Sequence, residues 1–222
     1  MEDLDHQIGY WNRIGPTKPF SHPVNLDRLR QLLAPDSRIL DFGCGYGRAL
    51  GLLQTQGFSN LIGFDPAPTM VAAARRQFPT ITFQELEDSP RLPLPNTSVD
   101  AVLLFSVLTC VPTDDGQREM IRELSRVLLV GGLLYISDLW LQGDPRNVQR
   151  YIHDFAKHGV YGVFDLPEGV TVRHHDRRWI ETLTEHYELV ALDEIEVITM
   201  NGHSALGFQW FGRKTNKFSN TA

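Results

Sequence analysis

Three glycines alternate in Asp41-Phe42-Gly43-Cys44-Gly45-Tyr46-Gly47, immediately after the apolar pair Ile39-Leu40. Glycines so placed let a strand turn sharply into a helix through angles that a Cβ forbids, and let a ligand approach the main chain. The chemistry available to such a turn is binding. A dinucleotide fingerprint requires a glycine at its sixth position, and the sixth residue counted from Gly43 is Arg48. A phosphate-cradling P-loop requires Gly-Lys-Ser/Thr, and no lysine follows Gly47. Carboxylates provide the second clue. Asp41 stands inside the turn, and Leu61-Ile62-Gly63-Phe64-Asp65 ends in an acid about twenty residues further on. An acid at the tip of a second strand is placed to accept hydrogen bonds from both hydroxyls of a ribose. Asp65 before Pro66 also suits the start of a helix.

The pattern Asp41-x-Gly43-x-Gly45-x-Gly47 resembles the first motif of the class I S-adenosylmethionine-dependent methyltransferases, and four further segments match that family in order. They are Leu61 to Asp65, the acidic loop Leu86-Glu87-Asp88-Ser89-Pro90-Arg91-Leu92-Pro93, the run Val99 to Ser106, and the stretch Arg122 to Ser137 with its Gly131-Gly132 turn. The resemblance covers about residues 36 to 140. It implies S-adenosylmethionine as cofactor, bound by Asp41, Gly43, Cys44, Gly45, Gly47, Asp65, Pro66, Asp88, Ser89, Phe105 and Ser106. Asp88 would face the adenine amino group, with Glu87 its neighbouring candidate, and the Ser89 N–H a ring nitrogen. Cys44 within the turn is accounted for by its small size.

The elements that must position these residues follow from the hydrophobic pattern. Apolar runs ending at Asp41 and Asp65, with Leu50, Leu52, Leu53 and Phe58 between them, describe one βαβ step. The resemblance implies an α/β fold with a doubly wound, seven-stranded, mostly parallel sheet of order 3-2-1-4-5-7-6. Its ligand site would lie at the carboxyl ends of the strands. Tyr187 to Met200 and Ser204 to Arg213 flank Asn201-Gly202, a hairpin signal that supplies the antiparallel end of the sheet. One methyltransferase domain is expected over residues 1–222. It comprises an N-terminal cap (1–35) with a helix around Leu26 to Leu33, a cofactor-binding core (36–140), a lid or insertion (141–186) and the terminal hairpin (187–213). Within the lid the sequence predicts a helix near Val148 to His158 and a loop from Gly159 to Thr171.

Methyl transfer to O, N or S of a small molecule is the expected activity. Transfer is an in-line displacement, in which the protein aligns acceptor and methyl group and excludes water. A base is required only for a protonated acceptor. His22, His175 and His203 are the candidates, and His153, His158 and His174 also lie outside the cofactor motifs. Tyr10, Trp11, Arg13, Trp140, Tyr151 and Tyr161 are the candidate acceptor-pocket residues, with Phe155 and Phe164 adding to the lid's aromatic character. The segment Val163 to Gly169, followed by Arg173, also resembles small bacterial methyltransferases that detoxify tellurite, which makes an oxyanion the alternative acceptor. A cofactor-binding subunit without catalysis is the alternative from a different class.

The 222 residues are 42% hydrophobic and 22% charged, with a net charge of −6 and no block of Lys and Arg beyond the short run Arg173 to Arg178. A nucleic-acid partner lacks its electrostatic footprint. Two cysteines give no disulfide framework, and no His/Asp/Glu spacing of a metal site is apparent. Absence of a signal peptide or a long apolar span leads to the expectation of a soluble, cytoplasmic chain without a membrane partner.

Overall fold

The computed structural model describes residue 5 and residues 7–216; residues 1–4, 6 and 217–222 of the expected domain lie outside the described part. The chain opens with α1 (Ile8–Ile14), a 3-10 turn Gly15–Thr17 and α2 (Leu26–Leu32), then alternates: β1 (Arg38–Phe42), α3 (Arg48–Thr55), β2 (Asn60–Asp65), α4 (Pro68–Gln77), β3 (Thr82–Glu85) and β4 (Val99–Phe105). A 3-10 turn at Leu108–Cys110 leads to α5 (Asp114–Val127) and β5 (Leu128–Leu139). The remainder is α6 (Pro145–His158), β6 (Val163–Leu166), β7 (Val170–Arg173), α7 (Arg177–Leu183), β8 (Tyr187–Ile198) and β9 (Ser204–Lys214). Seven strands form one sheet in the order β3-β2-β1-β4-β5-β9-β8. Pairing is parallel from β3 to β5 and antiparallel for β9 and β8. Once the separate β6-β7 pair is set aside, this is the strand order expected from the sequence.

The two-residue period of the strands sorts the core onto two faces. Leu40, Val102, Leu104, Leu134 and Ile136 point to one side, where α5 (Met120, Ile121, Leu124) and α7 (Ile180, Leu183) cover them. Ile39, Ala101, Leu103, Leu133 and Tyr135 point to the other, against Leu29 of α2, Leu50 and Leu53 of α3, and Val71 of α4. The central strands are therefore apolar on both faces, as buried parallel strands are. Their polar and glycine-rich residues collect at the carboxyl ends of β1, β2 and β4.

A third, smaller cluster sits over those ends. Tyr10 of α1 packs with Tyr151, Phe164, Val170 and Val172 of the region between β5 and α7. The stretch predicted as a loop from Gly159 to Thr171 contains the β6-β7 hairpin, in register from Val163 opposite Arg173 to Leu166 opposite Val170. The alternation Val170-Thr171-Val172 is short, and its strand character is fixed by the Phe164 cluster beneath it. Gln7 joins this hairpin to the N-terminal segment. Its side-chain amide donates to Thr171 O at 2.8 Å and accepts from Thr171 N at 2.7 Å, in the manner of a neighbouring strand, and also donates to Cys110 O at 3.3 Å.

The Arg173 to Arg178 run does not form an exposed basic strip. Arg173 is buried and pairs with Asp114 at 2.7 Å, and His174 and His175 are buried beside it. No helix among the described residues is long and apolar enough to cross a membrane.

Candidate functional site

A cavity of about 330 Å³ opens where β1, β2 and β4 end. Asp41, Gly43, Cys44, Gly45, Asp65, Pro66, Ser89, Phe105 and Ser106 all line it. The turn is held open by backbone geometry. Gly43 and Gly45 have φ of +71° and +54°, and a Cβ on Gly43 would lie 2.5 Å from Val107 Cγ2. Ser106 adopts φ +55°, a conformation disfavoured for any residue but glycine, and donates its N–H to Ser137 O at 2.8 Å. Such local strain persists only where the surrounding structure enforces it.

The N–H groups of the turn point inward to the protein. Gly43 and Cys44 donate to Phe64 O at 2.8 and 3.0 Å, and Gly47 donates to Cys44 O at 2.9 Å. Gly45 donates to Asp65 Oδ2 at 2.8 Å, while Asp65 Oδ1 accepts from Ala67 N at 2.8 Å. These donors do not form the open nest that a phosphate needs. The ionisable walls are acidic: Asp5, Asp41, Asp65, Asp115 and Glu119 face Arg48 and His22. Burial pushes the Asp41 carboxyl up to about 8, against the pull of Arg48 and with a push from Asp65. Burial likewise raises Asp65 to about 6, and its hydrogen bonds from Ala67 and Gly45 restrain the rise. Buried carboxyls of this kind favour a ligand that brings positive charge and hydroxyl donors. The residues therefore fit a sulfonium nucleoside better than a phosphorylated cofactor.

Two expected cofactor residues fall outside the cavity wall. Gly47 caps α3 at φ +82°, and a Cβ there would meet Phe83 Cζ at 2.7 Å and Phe78 Cδ2 at 3.1 Å. Its role is close packing of helix on sheet. Asp88 is exposed, because buried Leu86 and Leu92 pin the loop and Arg91 N bonds back to Asp88 O at 2.7 Å. That turn directs Ser89 and Pro90 to the cavity instead. Glu87 is exposed as well.

A second cavity, of about 740 Å³, lies beneath the third cluster. Trp11, Phe20, His22, Ser106 and Cys110 line both cavities and so form their junction. Phe20 stacks on Tyr46 of the glycine turn at 5.4 Å, which carries the N-terminal segment across the first cavity. His22 Nδ1 lies 2.9 Å from Ser137 Oγ, and its backbone O accepts from Arg48 Nη2 at 2.5 Å. Burial, with Arg48 nearby, holds the His22 imidazole down at about 4, so it is neutral at neutral pH. Burial also pushes the Cys110 thiol up, and its Sγ donates to Ser106 O at 3.1 Å.

The other candidates are dispersed. His175 is buried between Gln117 Nε2 at 3.0 Å and Leu139 O, away from both cavities, and acts in packing. His203 lines the second cavity from the exposed β8-β9 turn, and His174 lines it with Nδ1 2.6 Å from Tyr151 Oη. His153 is on the outer side of α6 and His158 is covered near its end, and both engage carboxylates away from the cavities. Of the aromatic candidates only Trp11 and Phe164 reach a cavity wall. Tyr10 and Tyr151 are consumed in the third cluster, Trp140 stacks on Phe208 at 4.0 Å, and Arg13 and Tyr161 face outward. The sequence reading missed Phe20, Cys110, Lys18, Arg146 and Arg150, all of which line the second cavity. Only Arg150 fell within the helix predicted from Val148 to His158, and the observed start of α6 at Pro145 is what brings Arg146 onto the same face.

Asp154, His158 and Asp165 bring three ligand atoms together, the one such group among the described residues. Lys157 already pairs with Asp165, so a cation of the chain itself offsets one of the cluster's two carboxylates.

The family described as Methyltransferase domain matches residues 40–136. The chain is 29% identical over 180 residues to an O-methyltransferase of Pyrenophora dematioidea, covering 74% of this chain and 65% of that protein. It is 33% identical over 138 residues to a probable S-adenosylmethionine-dependent methyltransferase of Mycobacterium tuberculosis, covering 62% and 45% respectively. The chain spans less than two thirds of the length of these relatives. A solved S-adenosylmethionine-dependent methyltransferase from Methanosarcina mazei shares the fold at a TM-score of 0.79 and 24% identity, over 85% of this chain and 97% of that one.

Proposed function

The chain belongs to the class I S-adenosylmethionine-dependent methyltransferases, and from that premise we propose that it transfers the cofactor's methyl group to a small-molecule acceptor. The observation that carries this reading is the pair of cavities meeting at Trp11, Phe20, His22, Ser106 and Cys110. When bound, the cofactor supplies an electrophilic methyl group on a sulfonium. Asp65, already oriented by Gly45 and Ala67, is assigned to the ribose hydroxyls, and Asp41 to the positive charge of the cofactor. Gly43 and Gly45 let the backbone approach it, and Pro66, Ser89, Phe105 and Ser106 complete the wall. Trp11 and Phe20 exclude water at the junction, where alignment alone supplies roughly 7–11 kcal/mol in favourable cases.

His22 takes the proton of an acceptor that must lose one. It is uncharged at neutral pH, and with Nδ1 engaged by Ser137 Oγ its other nitrogen is left for the junction. Relatives are named for both O- and C-methylation, so carbon joins oxygen, nitrogen and sulfur as an acceptor atom. Incubation with methyl-labelled cofactor and a metabolite extract tests the reading. The expected result is a labelled small molecule whose formation falls at least about tenfold in His22→Asn while cofactor affinity is retained. Cofactor binding with no labelled product from any extract would favour a non-catalytic subunit.

A further inference from the structure

We propose that the acceptor is a small organic molecule with an anionic head group, gripped by Arg146 and Arg150 of α6 on the wall of the second cavity that the cofactor does not touch. The proposal names the substrate class of the site above and so rests on the two-cavity reading.

On a chain whose net charge is −6, the second cavity is basic: Lys18, Arg146 and Arg150 line it against Glu168 as the sole carboxylate. Lys18 is already accounted for, with Nζ 2.7 Å from Asn201 Oδ1 and 3.7 Å from Glu168. The two arginines are not. Arg146 reaches Asp144 only at 3.9 Å, and among the described residues no carboxylate lies within ion-pair distance of Arg150, whose guanidinium rests 5.5 Å above the Phe164 ring. Four residues apart, both project from one face of α6, and both are half-buried at the cavity wall. A guanidinium so placed retains its planar fork of donors for a carboxylate or phosphate. Burial and the nearby Arg150 hold His174 down at about 3, so the cavity's positive charge resides on the arginines and lysine.

The rest of the wall describes the rest of the molecule. Leu139, Phe164, Val172 and Met200 are apolar, and about 740 Å³ far exceeds the space a bare inorganic oxyanion fills. Neither arginine lines the first cavity, whereas His22 and Cys110 line both. The anionic group therefore anchors the acceptor, and the atom that receives the methyl group lies at the opposite end of the molecule.

Calorimetric titration of the full chain, with and without saturating S-adenosylhomocysteine, tests this with 3-phenylpropionate, 2-phenylethyl phosphate, the neutral 3-phenylpropanamide and tellurite. At least one organic anion should bind about tenfold more tightly than the amide, and the comparison of the two anions identifies the head group. In the Arg146→Gln/Arg150→Gln double variant that preference should collapse to less than about threefold, with S-adenosylhomocysteine affinity unchanged. Equal binding of amide and anions, no binding of either organic anion, tighter binding of tellurite, or a preference that survives in the double variant would each overturn the proposal. If S-adenosylhomocysteine itself fails to bind while the arginine-dependent preference persists, the methyl-transfer reading fails and the anion site stands.

Discussion

The first cavity takes its shape from backbone and the second from side chains. Gly43 and Gly45 at positive φ, Ser106 in the left-handed region and the Asp65 carboxylate clamped by two main-chain N–H groups define a pocket whose form is inseparable from the β1-to-α3 and β2-to-α4 turns. The second cavity draws its walls from segments scattered between Trp11 and Ala205. Their charges are opposed as well, five acids against one arginine in the first and two arginines and a lysine against one glutamate in the second. A pocket made of turns cannot be changed without changing the fold, whereas one made of projecting side chains can take a new ligand by substitution alone. The comparison teaches where specificity would reside on the proposed reading: the methyl donor in the topology, and the acceptor in the surface of α6 and the hairpin.

Replacing Asp65 by Ala should break the first cavity most severely, since it removes the proposed ribose acceptor and leaves the Gly45 and Ala67 N–H groups without their partner. S-adenosylmethionine affinity should fall by at least about a hundredfold, since hydrogen bonds to charged groups contribute ~1.5–3 kcal/mol each. Calorimetry showing unchanged affinity would remove Asp65 from the site.

A smaller effect, on stability, distinguishes turn from side chain. Gly43→Ala puts a Cβ 2.5 Å from Val107 Cγ2 at φ +71° and should cost about 1–3 kcal/mol, lowering Tm by several degrees. Arg146→Gln and Arg150→Gln, being half-buried side chains without a tight ion pair, should leave Tm within about 2 °C. Equal losses in the two cavities would erase the contrast.

The pH dependence gives the finest test. The Asp41 carboxyl is raised to about 8 in the folded chain from 3.8, so its contribution to stability is fully present below about pH 4 and is lost as pH rises through about 8. Thermal melts between pH 5 and pH 9 should show this decline, and Asp41→Asn should make it shallower, leaving the part contributed by Asp65, raised to about 6, and Asp138, raised to about 7. A cationic cofactor favours the ionised acid, so its affinity should rise a few-fold from pH 6 to pH 8.5 in the native chain and not in the variant. A decline of the same slope in Asp41→Asn would assign the titration to another group.

That Asp41, the glycine turn and Asp65 share one cavity wall was legible because the signals are local: a strand end, a tight turn and a helix start lie within a few residues of each other. The same locality does not tell that Gly47 and Asp88 stand outside the cavity wall. A spacing rule cannot see Phe78 and Phe83 filling the space above one glycine, or Leu86 and Leu92 turning one acid outward. The strand order was legible through the resemblance, and the β6-β7 hairpin was not, since four-residue strands with little periodicity depend on the cluster they cover. Arg146 and Arg150 looked like any solvated helix face, and His22 like any other histidine, because what separates them is a cavity assembled from distant segments.

The pairing of the Gln7 side chain with the backbone of Thr171 spans 164 residues. During synthesis the sheet from β1 to β5 and the glycine turn are complete before Thr171 has been made, so the donor pocket exists while the roof above it does not. The N-terminal helix can already dock on α4 through Asn12 and Thr69 and set Trp11 against Phe20, while Tyr10 gains its Phe164 cluster only when the hairpin emerges. A nascent chain can therefore present the cavity at the strand ends before it possesses the second one, whose wall is complete only once Ile198 to Ala205 have been made.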